Sequence, residues 1–387
     1  MVMPAMHRAG LDMAFWHEID TPSDRDRIEV PPGTADMCAA EAGFEASIQQ
    51  LREWKPHVLF VQGIQNVAAE AQLLEIAPAI FFLQTYTATC ISGSKTFTRP
   101  IATPCDRRFG SACLLHYFPH GCGGNNPATM WRLFAMQSKR LRHFRRYAAI
   151  LTISDHMRDE MAKHGLHADV VPYPFQEQTS TDTTRSDAPE AKPPDDAWHL
   201  LYAGRMESLK GGHYLIEALP EVVRAARRPV RVTFAGDGRD RQRWEALAQT
   251  IQHATPNLAI EFTGWLTQQD VGILMRNVDL LVLPSLWPEP FGAVGPAAGQ
   301  YGVPAAAFAT GGISQWLGDG VSGHLAPANP PMPAGLAGAI VRCLEDPVHY
   351  QTLRAGARRM AARFTMDRHL PPLVAALDRV KRANGPS

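Results

Sequence analysis

Arg205 and Lys210 stand five positions apart in Gly204-Arg205-Met206-Glu207-Ser208-Leu209-Lys210-Gly211-Gly212, directly after the apolar run His199–Ala203. A planar guanidinium and a compact ammonium on one glycine turn suit the oxygens of a diphosphate, and the next helix adds its N-terminal field. A solvated turn carrying ordinary surface cations is the plain alternative. A second stretch, Pro284-Ser285-Leu286-Trp287-Pro288-Glu289-Pro290-Phe291-Gly292-Ala293-Val294-Gly295, holds one carboxylate between two prolines ahead of a helix expected to begin near Gly292. Glu289 can accept hydrogen bonds from sugar hydroxyls, and the N–H groups of Phe291–Ala293 can meet phosphate or sugar oxygens. Its other role would be an acid facing a helix dipole. Gly236-Asp237-Gly238 and Thr310-Gly311-Gly312-Ile313 make further tight turns, while Thr263-Gly264-Trp265-Leu266 offers either a wall for a flat base or plain core.

Each of these turns follows a short apolar run. The strands expected in the second half are His199–Ala203, Val230–Ala235, Ala259–Phe262, Leu280–Leu283 and Ala305–Ala309. Those in the first half are Leu11–Trp16, His57–Val61, Ala79–Leu83, Ala149–Ile153 and Ala168–Val171. Helical patterns such as Gly212–Ala226, Arg239–Ile251 and Gln268–Arg276 alternate with them, which predicts α/β domains with parallel sheets covered on both faces. Gln176–Asp196 has almost nothing to bury and reads as a linker or excursion. The expected division is a first domain at residues 1–172, a linker at 173–197, a second domain at 198–362, and a helix at 363–387 that can cross back onto the first domain. Two doubly wound domains facing across a cleft would place ligands at the carboxyl ends of the strands. Met1–Ala9 reads as the tail of a helix and Leu11–Trp16 as the strand after it, so the first domain is expected to lack its central first strand. A start lying upstream of Met1 is the favoured explanation.

Composition narrows the classes. Of 387 residues 45% are hydrophobic and 20% charged, and 38 Lys and Arg balance 38 Asp and Glu, so no global charge recommends nucleic acid. No apolar run is long enough to span a bilayer, and six cysteines make no disulfide scaffold in a chain of this length. A cytoplasmic protein that can touch the inner face of a membrane is the expectation.

Together the motifs resemble the family 4 retaining glycosyltransferases (glycosyltransferase group 1), whose fold is called GT-B. The matching pattern is Gly-Arg, four residues, Lys-Gly; Gly-Asp-Gly; Pro-Ser-x-x-x-Glu-Pro-Phe-Gly; Gly-Val-Pro at 302–304; and Gly-Gly at 311–312. It is strong over about 198–330 and weaker over 50–172. The resemblance implies transfer of a sugar from a nucleotide-diphosphate donor, with retention and without an obligatory metal or other cofactor. The acceptor would be a glycan, lipid-linked or small-molecule acceptor, as in surface polysaccharide assembly, with residues 1–172 as the acceptor-side domain and 198–362 as the nucleotide-sugar-binding domain. Carried over by position, Arg205 and Lys210 would hold the diphosphate and Glu289 the donor sugar. Gly204, Gly236, Leu266, Pro290, Phe291, Gly292 and Ala293 would complete the donor site, with Gln84 and Tyr86 on the acceptor side. Fixed cations near a departing diphosphate would lower the barrier.

Three departures qualify the match. Ala297 stands where the family has a second Glu for the ribose, and Gln84, which can hydrogen-bond but not act as an acid or base, stands where it often has a His. The missing first strand would remove a glycine loop. A non-catalytic or weakly active binding protein is therefore the alternative. Outside the pattern, Cys90, Cys105, Cys113 and Cys122 fall within 33 residues of an acceptor-side insertion at about 88–128. A structural zinc, a disulfide and free buried thiols are the open readings. At 100° per residue, Met130–Ala148 gathers Met130, Leu133, Phe134, Leu141, Phe144 and Ala148 on one side and Arg132, Lys139, Arg142, Arg145 and Arg146 on the other. That helix either packs on its sheet with a solvated basic face or meets anionic lipid.

Overall fold

The computed structural model describes residues 2–19, 28–175 and 197–384. The larger sheet has six parallel strands in the spatial order Leu258–Gly264, Val230–Ala235, Trp198–Ala203, Leu280–Leu283, Ala305–Phe308 and Gly323–Ala326. Leu280–Leu283 and Ala305–Phe308 are buried at every position. Such unbroken apolar runs are what a parallel sheet covered on both faces requires. Alternate side chains serve opposite faces. Leu280 and Val282 join Leu215, Leu219, Leu336 and Ile340 of helices Gly212–Ala226 and Pro333–Leu344. Leu281 and Leu283 join Ala298 and Met360 of helices Val294–Gln300 and Pro347–Ala361.

The smaller sheet holds Leu59–Val61, Ala79–Leu83, Ala149–Thr152 and Asp169–Val170, all parallel. Ala14–His17 and Ala35–Cys38 form a separate parallel pair, and among the described residues no ladder joins it to the four. Glu18 ties the two pieces, accepting from the N–H groups of Gln65 and Asn66 at 2.6 and 2.8 Å. The apolar cluster behind the larger sheet continues through Ile80, Phe82, Leu151 and Ile153 of the smaller one. Helix Met366–Asn384 completes it with Leu373 and Leu377, while Arg379 pairs with Asp169 at 2.8 Å. The Gln176–Asp196 stretch lies outside the described residues.

The basic helix runs over Pro127–Phe144, opened by Asn126, whose side chain caps the N–H groups of Ala128 and Thr129. Met130 and Phe144 face inward as expected, but Ala148 is exposed. Gln137 and Arg140 are buried instead. Arg140 donates to the Ile64 and Gln65 carbonyls at 2.5 and 2.6 Å, and Gln137 accepts from the Ala88 N–H at 2.8 Å. The two polar side chains that share the apolar side of this helix are thus buried against unpaired loop carbonyls and an amide.

Candidate active site

The site forms where the strands of the larger sheet end. The Gly204 N–H reaches Ala235 O at 3.0 Å and the Gly236 N–H reaches Gly264 O at 2.8 Å, laying the turns of Gly204, Gly236 and Leu266 side by side. Arg205 is exposed and pairs with Glu207 at 3.1 Å. Lys210 closes a short 3₁₀ turn, Ser208–Lys210, and Gly211 follows with φ +71°. A Cβ at Gly211 would lie 1.8 Å from the Pro284 carbonyl oxygen, so a side chain there would force the two motif loops apart. Their approach is sealed by the Leu286 and Trp287 N–H groups, both directed at Leu209 O.

This approach brings Lys210 and Glu289 together. Lys210 Nζ lies 2.7 Å from Glu289 Oε1, and Ser285 Oγ donates to the same oxygen at 2.5 Å. The two side chains are 20% and 9% exposed, and Lys210 also sits over the Trp287 ring at 4.7 Å. An ammonium has three protons and a carboxylate about four lone-pair sites, so both groups keep capacity for a ligand. Behind Glu289, the Gly312 N–H donates to its carbonyl at 2.7 Å. Gly311, at φ +54°, passes so close that a Cβ would stand 2.3 Å from that carbonyl oxygen.

Pro290 and the Phe291 side chain are buried, the latter stacked on Tyr173 at 5.7 Å, while Gly292 and Ala293 are half-buried. The following helix begins at Val294, two residues later than expected. Ala297 lies in that helix, half-buried against apolar neighbours.

From the smaller sheet, Gln84 is half-buried with its amide 3.4 Å from Gln62 Oε1. Tyr86 is fully buried, and its hydroxyl donates to the Pro288 carbonyl at 2.6 Å. It therefore supports the Glu289 loop and is not presented to an acceptor. Burial first, then the charges of Glu160 and Glu289, hold its phenol protonated. Ser154 and His156 also border the loop, and sequence reasoning did not single them out. Ser154 stands just past a strand end, at the N-cap of helix Asp155–Ala162, and that position was the available signal.

Cys90, Cys105, Cys113 and Cys122 do line one pocket, with His116 and Lys95. All four are free thiols. Burial raises the Cys105 pKa and pushes the Cys122 thiol up to about 12. Among the described residues no three or more His, Cys, Asp or Glu are arranged to hold a metal ion. The zinc expectation therefore finds no support, and no disulfide is formed. No described helix is long and apolar enough to cross a membrane.

Residues 197–346 match the model of the family described as glycosyl transferases group 1. Over 167 residues the chain is 35% identical to a glycogen synthase of Mycobacterium tuberculosis, covering 43% of this chain and 38% of that protein. Over 232 residues it is 29% identical to the alpha-D-kanosaminyltransferase of Streptomyces kanamyceticus, covering 57% and 58%. The chain thus spans well under two thirds of these curated relatives. Among solved structures, sucrose-phosphate synthase of Thermosynechococcus elongatus is similar with a TM-score of 0.69 at 16% identity, over 99% of this chain and 92% of that one. Anabaena HepE in complex with UDP gives 0.60 at 19% identity, over 89% and 86%. The chain has the GT-B fold of paired Rossmann-like domains, and its residues 197–346 carry the match to the group 1 glycosyltransferases.

Proposed function

We propose that the protein transfers a hexose from a nucleotide-diphosphate sugar to a glycan, lipid-linked or small-molecule acceptor, with retention of configuration, in the manner of the family 4 enzymes. The observation that carries this reading is the Lys210–Glu289 pair, held at 2.7 Å at the carboxyl edge of the larger sheet. In this reading 198–362 is the donor domain and 1–172 the acceptor side. Lys210, with Arg205 swinging from its exposed pair with Glu207, neutralises the diphosphate as it departs. Glu289 holds donor-sugar hydroxyls, and the N–H groups of Phe291, Gly292 and Ala293 face sugar and phosphate oxygens. An intact cation–carboxylate pair favours the catalytic reading over a binding-only relative. HepE is described with UDP-glucose, so UDP and UDP-glucose are the first probes, followed by a panel of other nucleotide sugars. Donor hydrolysis or transfer, with calorimetric binding of the nucleoside diphosphate, is the expected result. Absence of turnover and of binding across the panel would sink the reading.

The acceptor side supports contact with anionic lipid from the cytoplasmic face. Residues 76–154 hold ten Lys and Arg and one Asp within a chain of zero net charge, and of these cations only Lys95 and Arg140 are buried, beside Glu160 and Glu70. Arg132, Lys139, Arg142, Arg145 and Arg146 are all exposed, beside Trp131 at 56% and Leu115 at 78% exposure. Sedimentation with phosphatidylglycerol vesicles, but not with phosphatidylcholine vesicles, is expected, and it should weaken as salt rises. Equal binding to both lipids, or to neither, would refute it.

A further inference from the structure

Three consecutive main-chain carbonyls, of Pro288, Glu289 and Pro290, each have a dedicated donor. Gly312, from the same sheet, holds the middle one. The outer two are held from the other sheet: Tyr86 Oη donates to Pro288 O at 2.6 Å, and Ser154 Oγ donates to Pro290 O at 2.5 Å. Both hydroxyls stand just beyond the carboxyl ends of neighbouring strands, Ala79–Leu83 and Ala149–Thr152. Each is itself fixed. Ser154 Oγ accepts from the Met157 N–H at 3.1 Å as the helix cap, so its single proton is free to go to Pro290. Tyr86 likewise spends its single proton on Pro288, so the 2.6 Å contact with His156 Nε2 requires the imidazole to donate. Burial lowers the His156 pKa and favours the neutral ring. The Trp287 ring stands edge-on to Tyr86 at 6.0 Å, and Gln315 Oε1 accepts from the Asp155 N–H at 2.7 Å on the far side.

We propose that Tyr86 and Ser154 are positioning residues that orient the donor-sugar carboxylate Glu289 from across the cleft. They touch neither donor nor acceptor. They fix the Pro288–Glu289 and Pro290–Phe291 peptide planes, with the Glu289–Pro290 plane held by Gly312 between them, so the carboxylate keeps its direction only while the two sheets are engaged. Ordinary interface bonds would fall wherever surfaces meet. These two bracket one residue, and that residue also carries the Lys210 and Ser285 contacts. Sugar recognition in the larger sheet is thereby conditional on the smaller one, although Glu289 belongs to the former alone.

This inference rests on the donor reading above, and the test separates the two. In the full chain, Tyr86→Phe keeps the ring against Trp287 and removes only the hydroxyl; Ser154→Ala removes the other clamp. Each is expected to lower kcat with the nucleotide sugar about tenfold. Nucleoside diphosphate affinity should stay within about twofold, since that ligand has no sugar for Glu289 to hold. Backbone amide exchange at Trp287 and at Gly312, the bonded N–H groups of and to this loop, should quicken in both variants while exchange in Leu280–Leu283 stays unchanged. The clamp is overturned if exchange at Trp287 and Gly312 is unaltered, or if sugar-bearing and sugar-free nucleotides weaken alike. If the unmodified chain binds and turns over no nucleotide sugar, the donor reading fails, and the exchange data alone then decide the clamp.

Discussion

Removing both members of the Lys210–Glu289 pair should destabilise the fold less than the two single removals added together. At 2.7 Å and an effective dielectric near 20, the gross attraction is about 6 kcal/mol. Desolvation of two largely buried ions offsets most of it, leaving a coupling of about 1–3 kcal/mol. Lys210→Met leaves Glu289 with Ser285 as its single side-chain partner, and Glu289→Gln leaves the ammonium above Trp287 without its counter-charge. Each single change is expected to cost about 1–3 kcal/mol, and the double change clearly less than their sum. Urea denaturation of all four proteins, followed by tryptophan fluorescence, completes the cycle. Additivity within about 0.5 kcal/mol would mean the pair is a chance contact of two solvated groups, and the electrostatic account of the site would fall. All three variants should also lose donor turnover, so stability and activity report on one contact by independent routes.

Gly211→Ala is expected to lower stability by at least about 2 kcal/mol and to abolish nucleoside diphosphate binding, because its Cβ would meet the Pro284 carbonyl; a wild-type melting temperature would refute the close approach. His164 is 3% exposed, with no hydrogen bond to either ring nitrogen among the described residues, and burial pushes its pKa down to about 4. The unfolded chain, with a His pKa near 6.5, then binds the extra proton, so this contribution is intact above about pH 6.5 and is lost as pH falls toward 4. The urea midpoint should drop across that window and drop less in His164→Asn; parallel pH profiles would exclude the histidine. Ala297→Glu should tighten nucleoside diphosphate binding about tenfold if the ribose lies over helix Val294–Gln300, and unchanged calorimetry would place the ribose elsewhere.

Continuous apolar runs bounded by glycine turns made the larger sheet readable almost residue by residue: Val230–Ala235 and Leu280–Leu283 stand where periodicity puts them. Gly323–Ala326 escaped because its Gly-His-Leu-Ala sequence has little β-propensity of its own and is held by pairing with Ala305–Phe308. Ala35–Cys38, with Asp36 within it, escaped for the same reason. Lys210 and Glu289 were legible as chemistry because prolines and glycines punctuate both loops. Their contact was not, since it joins positions 79 residues apart through the Gly211 crossing. Tyr86 and Ser154 were harder still: one hydroxyl reaches across 202 positions and the other across 136, and nothing local marks either as a partner of a proline carbonyl.

Helix Met366–Asn384 sets the order in which a ribosome can deliver this molecule. Leu373 and Leu377 cover the same apolar cluster as Ile80 and Phe82, almost 300 positions earlier. Until they emerge, one flank of the smaller sheet stays wet and sticky, and a newborn chain would depend on shielding there. Trimming this helix would then cost more than its own contacts, because it would return the first sheet to its unfinished state.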